Sequence, residues 1–149
     1  MGVRGRSAAE LLALRVQTSD GVVLGRPVDV LLDLARFQVV GFSVRCGDGQ
    51  DRFLPFAAAE PAADALAVRS ALTLLEAGEL VFYREHGTSL NAAVGAAVVF
   101  GGGRTGNLVD VLVGDGGRVE ALVVESPAGR ADVPPGAGVH VSLPRPSAA

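Results

Sequence analysis

The chain contains no lysine and no tryptophan, and only one cysteine, one methionine and one tyrosine occur among its 149 residues. The single cysteine, Cys46, excludes a disulfide within the chain. No apolar run approaches the roughly 20 residues that a membrane-spanning helix requires. The chain does not open with a charged segment followed by an apolar one, as a secretory signal peptide does. We therefore expect a cytoplasmic protein with no transmembrane segment.

Aromatic residues and net charge are also low. Aromatics make up 5% of the chain while 49% of it is hydrophobic, so the core must consist mainly of aliphatic side chains, which favours strands. The 13 basic residues are all arginine, and 16 acidic residues give a net charge of −3. Binding to a nucleic-acid backbone requires a concentrated basic surface, so this balance argues against a nucleic-acid partner.

The chain carries an internal repeat. Three pairs of segments align in the same order, Gly25–Leu32 with Gly106–Val113, Val39–Val44 with Val119–Val124, and Phe53–Pro55 with Val133–Pro135. The first pair shares a glycine, a Val-Asp-Val core and its apolar positions. A match sustained over three consecutive segments indicates that one structural unit occurs twice.

Each copy has the pattern of a meander of short strands. Apolar alternation is interrupted by Gly- and Asp-rich turns, which supply the positive φ angles that tight hairpins need. We predict strands near Leu14–Thr18, Arg26–Leu32, Val39–Arg45, Arg52–Leu54 and Leu66–Arg69 in the first copy, and near Ala96–Phe100, Asn107–Val113, Val119–Glu125, Arg130–Val133 and Val139–Leu143 in the second. Short strands at this spacing predict an all-β sandwich or barrel.

The remaining segments complete the predicted organisation. Ser7 and Glu10 fit a helix capping box, and late cations followed by Gly87 favour a short helix around Glu79–Glu85. We divide the chain into a loosely ordered N-terminus (1–10), the first copy (11–71), a connector with that helix (72–89), the second copy (90–144) and a disordered tail (145–149).

The repeated motif resembles that of the PRC-barrel family, which includes the H subunit of photosynthetic reaction centres and the C-terminal domain of the ribosome-maturation protein RimM. The positions that carry the resemblance are Gly25, Asp29, Gly41 and Pro55 in the first copy, and Gly106, Asp110 and Pro134 in the second. The resemblance implies two tandem small β-barrels, one in each half. It implies no reaction, because this family looks like a platform for contacts with proteins or RNA.

Two features could belong to a catalytic or cofactor-binding site, and each also has a simpler structural interpretation. Gly101–Gly106 matches the glycine pattern of a dinucleotide site, which also needs a helix starting at the loop. A strand pattern follows instead, so a nucleotide-binding enzyme is only an alternative. Asp29 and Asp110 would serve in acid/base catalysis if they converged in a cleft. Duplication explains their recurrence without an active site, and each is expected to face solvent or to accept a hydrogen bond from a neighbouring turn.

The other reactive side chains do not form a pattern. His86 and His140 lack the closely spaced Cys or His of a transition-metal site. Cys46 abuts a glycine turn at a strand end, where a small, partly buried side chain is the simplest interpretation. We therefore predict no catalytic residue, no metal and no cofactor.

One strand in each copy is apolar on both faces, and these strands include Leu31 and Leu112. A barrel interior buries one face only, so the other must meet the second barrel, the connector, a second copy of the chain or a partner. We take Leu31 and Leu112 as the candidate contact surface. The sequence thus favours a non-enzymatic adaptor that binds an as yet unknown protein or forms a homodimer. The alternative is an RNA- or ribosome-associated factor similar to RimM.

Overall fold

The protein is mostly β, as predicted, in a computed structural model that describes residues 5–74 and 77–143. The strands are β1 (Arg6–Ser7), β2 (Arg15–Thr18), β3 (Val23–Asp33), β4 (Gln38–Cys46), β5 (Asp51–Pro55), β6 (Glu60–Pro61), β7 (Ala65–Val68), β8 (Thr88–Ser89), β9 (Ala97–Phe100), β10 (Arg104–Val113), β11 (Val119–Ser126), β12 (Gly129–Val133) and β13 (His140–Ser142). The α-helices are α1 (Ala8–Leu12), α2 (Ala77–His86) and α3 (Leu90–Ala93). None of the helices in the described ranges has the length and apolar character to cross a membrane.

The strands form two sheets whose central parts follow the same order. The first sheet runs β5-β4-β3-β2-β7-β6, with β8 beside β3. The second runs β12-β11-β10-β9-β13, with β1 beside β10. In both sheets four consecutive strands form an antiparallel meander, as strands joined by tight glycine turns should. The halves differ at the last strand, since β7 runs parallel to β2 whereas β13 runs antiparallel to β9.

The two longest strands, β3 and β10, are irregular at corresponding places. The pairing of β3 with β4 slips just before Asp29 and again just before Leu32. The pairing of β10 with β11 slips just before Asp110 and again just before Val113. Bulges of this kind bend a strand and increase its twist, and the sheet curls into a half-barrel.

The third aligned segment of the sequence is displaced by one residue. Leu54 pairs with Phe42, and Val133 pairs with Leu122, which corresponds to Phe42. Val133 therefore corresponds to Leu54 and not, as the sequence alignment predicts, to Phe53. The reason is that the two turns differ in length by one residue. Residues 46–50 separate the paired Arg45 and Asp51 in the first half, whereas residues 126–129 separate the corresponding pair, Glu125 and Arg130, in the second.

Buried side chains from both sheets merge into one core. Val16 and Leu54 of the first sheet belong to the same buried cluster as Val98, Val111 and Leu122 of the second. Aliphatic side chains dominate this cluster, as the composition predicts. A half of this size closes only a marginal core by itself, so burying both sheets together removes more apolar surface from water.

The N-terminal segment forms a short strand and a helix over Arg6–Ser7 and Ala8–Leu12, which corrects the prediction of a disordered or loosely ordered stretch over residues 1–10. Arg6 and Ser7 form β1 and pair with Val113 and Leu112 of β10. This partner lies in the second half of the chain, far from β1 in sequence, so no local pattern around β1 indicates it. Residues 1–4 lie outside the described part of the chain.

Two local predictions about helices are confirmed. Helix α2 includes the predicted range Glu79–Glu85. The predicted helix cap at Ser7 also forms, since the hydroxyl of Ser7 accepts a hydrogen bond from the backbone N–H of Glu10 at 3.1 Å. The predicted disordered tail, residues 145–149, lies outside the described residues.

Candidate functional site

Asp29 is a buried carboxylate that joins the first sheet to the start of helix α3. Its Oδ1 accepts hydrogen bonds from the backbone N–H of Val30 at 2.8 Å and of Asn91 at 3.1 Å. Its Oδ2 accepts a hydrogen bond from the hydroxyl of Ser89. Ser89 in turn caps α3 by accepting from the N–H of Ala92 at 3.3 Å. A carboxylate at a helix start is favourable because the first N–H groups of a helix lack partners within it.

Asp110 makes the corresponding contacts on the second sheet, to the start of helix α1. It accepts hydrogen bonds from the N–H groups of Val111 at 2.7 Å, Ala8 at 3.1 Å and Ala9 at 3.4 Å. Asp110 is half-buried. Ser7 caps α1 in the same way that its counterpart caps α3. Both recurring aspartates therefore accept hydrogen bonds from a helix start instead of facing solvent or accepting from a turn.

These contacts link the two halves reciprocally. Helix α1 precedes the first sheet in the chain but is held by Asp110 of the second, whereas α3 precedes the second sheet but is held by Asp29 of the first. The short strands before these helices make the same reciprocal contacts, because β1 pairs with β10 of the second sheet and β8 pairs with β3 of the first. An antiparallel bridge also joins Gln38 to Arg118, which occupy corresponding positions. Each half thus contributes an N-terminal segment that completes the other.

Two of the repeated glycines lie where neighbouring strands approach closely. A Cβ atom on Gly25 would lie 2.3 Å from the carbonyl oxygen of Arg45, and one on Gly106 would lie 2.8 Å from that of Glu125. Neither distance is compatible with an unshifted strand pair, so only glycine fits at these places. The other motif positions also lie on or beside strands, Gly41 in β4, Pro55 at the end of β5 and Pro134 directly after β12.

The glycine loop at Gly101–Gly106 is the turn and first part of a β-hairpin. Gly101, Gly102 and Gly103 have φ angles of 52°, 78° and 102°, and Arg104 then pairs with Phe100 across the hairpin. Strand β10 follows directly, as the sequence predicts. No helix starts at this loop, so the loop lacks the helix N-terminus on which a dinucleotide pyrophosphate would rest.

The two predicted contact residues lie in different surroundings. Leu31 is fully buried, which corrects the prediction that it offers a surface to a partner. It packs with Phe53 and with the partly buried Val40 and Tyr83. Tyr83 belongs to α2, and its ring stacks on that of Phe53 with 4.0 Å between centroids. The connector therefore covers the outer apolar face of the first sheet, while Leu112 on the second sheet is partly buried.

Helix α2 presents a second apolar face away from the sheet. Val81 and Phe82 are 51% and 54% exposed. The ring of Phe82 stacks on that of His86 with 4.2 Å between centroids, which restricts its rotation. Glu79 and Glu85 are exposed and lie three residues before and after Phe82, so each is a neighbour of Phe82 on the helix surface. We call Glu79, Val81, Phe82 and Glu85 the α2 outer face.

The histidines and the cysteine do not form a site. Within residues 5–74 and 77–143, no group of three or more His, Cys, Asp or Glu side chains is placed to hold a metal ion. Cys46 is a free, half-buried thiol whose sulfur lies 3.8 Å from the carbonyl oxygen of Val44. His86 ends α2, and His140 begins β13.

The β4–β5 turn contains an ion pair whose effect on pKa is testable. Hydrogen bonds from the Arg52 guanidinium, the closest at 2.8 Å, and from the N–H of Gln50 lower the pKa of Asp48 from 3.8 to about 2. Because the folded pKa lies below the unfolded one, the pair stabilises the fold above pH 3.8, and this contribution is lost as the pH falls to about 2.

We expect an NMR titration of the Asp48 carboxyl group to have its midpoint near pH 2, and Arg52→Gln to raise that midpoint toward 3.8. Arg45→Gln is the matched control, because Arg45 pairs with Asp51 in the same hairpin. It should leave the Asp48 midpoint unchanged. An equal rise in both variants would contradict the assignment of the shift to Arg52.

A cavity of about 530 Å³ lies where the N-terminal segment meets both halves. Its walls come from β1 and α1, from the segment after β5, and from the turn after β10. The lining is mostly apolar, with one cation, Arg6, and two carboxylates, Glu60 and Asp115. The sequence does not indicate this cavity, since its walls are far apart in the chain and no motif links them.

No protein-family model matches the chain, and no curated protein matches it either. The roles of Asp29, Asp110, the α2 outer face and the cavity therefore rest on their geometry.

Proposed function

We propose that the protein is a non-enzymatic adaptor built from two PRC-barrel-like modules that complete each other. Its contact surface is the α2 outer face, which binds an apolar segment of a partner protein flanked by basic residues. The observation that carries the proposal is the exposure of Val81 and Phe82 on a helix anchored to the sheet by Tyr83.

The recurring polar residues support an architectural repeat. Asp29 and Asp110 each accept three hydrogen bonds, and in each case these include the N–H group of the following residue and a helix start. A catalytic carboxylate needs a free oxygen directed toward a substrate. Both carboxylates instead stabilise the contacts by which each module holds a helix start from the other module. Their recurrence therefore has an explanation that requires no reaction.

The surface itself has the properties of a protein contact. An exposed aromatic side chain of restricted rotation is a typical anchor, because little conformational entropy is lost when a partner covers it. Phe82 meets this description through its stacking on His86. Glu79 and Glu85 are exposed neighbours of Phe82 on the helix surface, and their charge selects for basic residues in the partner.

Affinity purification of the tagged chain, followed by mass spectrometry, tests this proposal. We expect the double substitution Val81→Ser and Phe82→Ser to lose the partner that the wild type captures. The matched control is Val22→Ser with Val23→Ser, because these two valines, the last residue before β3 and its first residue, are 54% and 53% exposed. The purified partner should bind the wild type and the control alike, and the α2 variant about tenfold more weakly or worse.

Two outcomes would contradict the proposal. Equal binding of the partner to the α2 variant and the wild type would exclude the α2 outer face as the contact surface. Co-purification of ribosomal particles, retained by the α2 variant, would favour the RNA-associated alternative.

A further inference from the structure

The cavity between the halves has a buried floor and an exposed rim. Leu11, Phe56 and Val113 form the floor and are buried, whereas Glu60 and Asp115 lie on the rim and are exposed. These five residues come from the N-terminal segment, the first half and the second half, so the site exists only in the complete fold. Its volume of about 530 Å³ is within the range of small-molecule sites.

Arg6 lines this cavity and is incompletely bonded. Its Nη1 has no hydrogen-bond acceptor and exposes less than 1 Å² to solvent, so the guanidinium group must turn toward the cavity before a ligand there can pair with it. In the described part of the chain, no hydrogen bond or ion pair joins Arg6 to Glu60 or Asp115, although both line the same cavity. A buried donor without an acceptor is unfavourable, and a guanidinium group is suited to two parallel hydrogen bonds with a carboxylate.

We infer that the cavity binds a small apolar monocarboxylate. The ligand's carboxylate accepts hydrogen bonds from Arg6, and its hydrocarbon body packs on Leu11, Phe56 and Val113. The two rim carboxylates repel further negative charge, so phosphates and nucleotides are disfavoured relative to a singly charged acid. This site is separate from the α2 outer face, so the inference stands or falls independently of the adaptor proposal.

Titration calorimetry of the full chain with octanoate tests the inference. We expect one saturable site for octanoate, and binding of 1-octanol or octyl phosphate that is about tenfold weaker or worse. Octanol retains the apolar body without the carboxylate, and octyl phosphate retains the body with more charge. Absence of saturable octanoate binding, or equal binding of octanol, would overturn the inference.

Two substitutions locate the site. Arg6→Gln should weaken octanoate binding about tenfold or more and leave octanol binding unchanged. Ala59→Leu, which fills the cavity beside the floor without altering Arg6, should weaken both ligands. Arg15→Gln, at an exposed position on β2, is the control and should bind like the wild type. Wild-type octanoate affinity in a folded Arg6→Gln protein overturns the inference. If that variant does not fold, wild-type affinity in Ala59→Leu does so.

Discussion

The substitution Asp29→Ala should lower the free energy of unfolding by about 3 kcal/mol, because it leaves several donors without the buried carboxylate that accepts from them. Those donors are the backbone N–H groups of Val30 and Asn91 and the hydroxyl of Ser89. Asp110→Ala should cost less, about 2 kcal/mol, because Asp110 is only half-buried and water can replace part of its bonding. Urea denaturation monitored by circular dichroism measures both changes.

Hydrogen exchange gives a sharper readout, since the reciprocal contacts predict where protection is lost. Asp29→Ala should expose the amide of Asn91, and Asp110→Ala should expose the amides of Ala8 and Ala9. Asp132→Ala is the control, because Asp132 is exposed on β12, and it should change stability by less than about 0.5 kcal/mol. If Asp29→Ala is no more destabilising than this control, the carboxylate does not hold the two halves together.

The strands and turns were predictable from the sequence because they depend on neighbouring residues. Alternating apolar side chains and glycine turns predict the meander of each half, and the capping box at Ser7 is likewise local. The helix-capping role of Asp29 and Asp110 was not predicted, although a signal existed. Ser7 stands nine residues before Val16, and Ser89 stands nine residues before Val98, so the repeat extends further toward the N-terminus than the aligned segments.

Long-range packing could not be predicted in this way. The pairing of β1 with β10 joins segments from opposite halves of the chain, and nothing near Arg6 specifies its partner. The pattern around Leu31 correctly required a cover on both faces of β3, but it does not identify the cover. The cover is helix α2, which is held by the contact between Tyr83 and Phe53. These two residues are far apart in the chain, and no repeating pattern relates their positions. The one-residue error at Val133 arose because glycine turns tolerate a change of length.

The second large effect is expected from Phe53→Ala, which should lower the free energy of unfolding by about 3 to 4 kcal/mol. Phe53 is 1% exposed, and its ring fills the space between Leu31 and Tyr83. Removing the ring leaves a cavity under α2, so the amides of α2 should also lose protection from hydrogen exchange. Binding through the α2 outer face should weaken in parallel, because the helix that presents Phe82 is no longer fixed.

Phe82→Ala is the matched control, because it also removes a phenyl ring, but from the exposed side of α2. It should change the free energy of unfolding by less than about 1 kcal/mol while weakening partner binding, so the two phenylalanines separate anchoring from recognition. In a double-mutant cycle, Phe53→Ala and Tyr83→Ala should be clearly non-additive, since each removes one ring of the same stack. Additive losses, with α2 amides still protected in Phe53→Ala, would mean that contacts other than this stack hold the connector on the sheet.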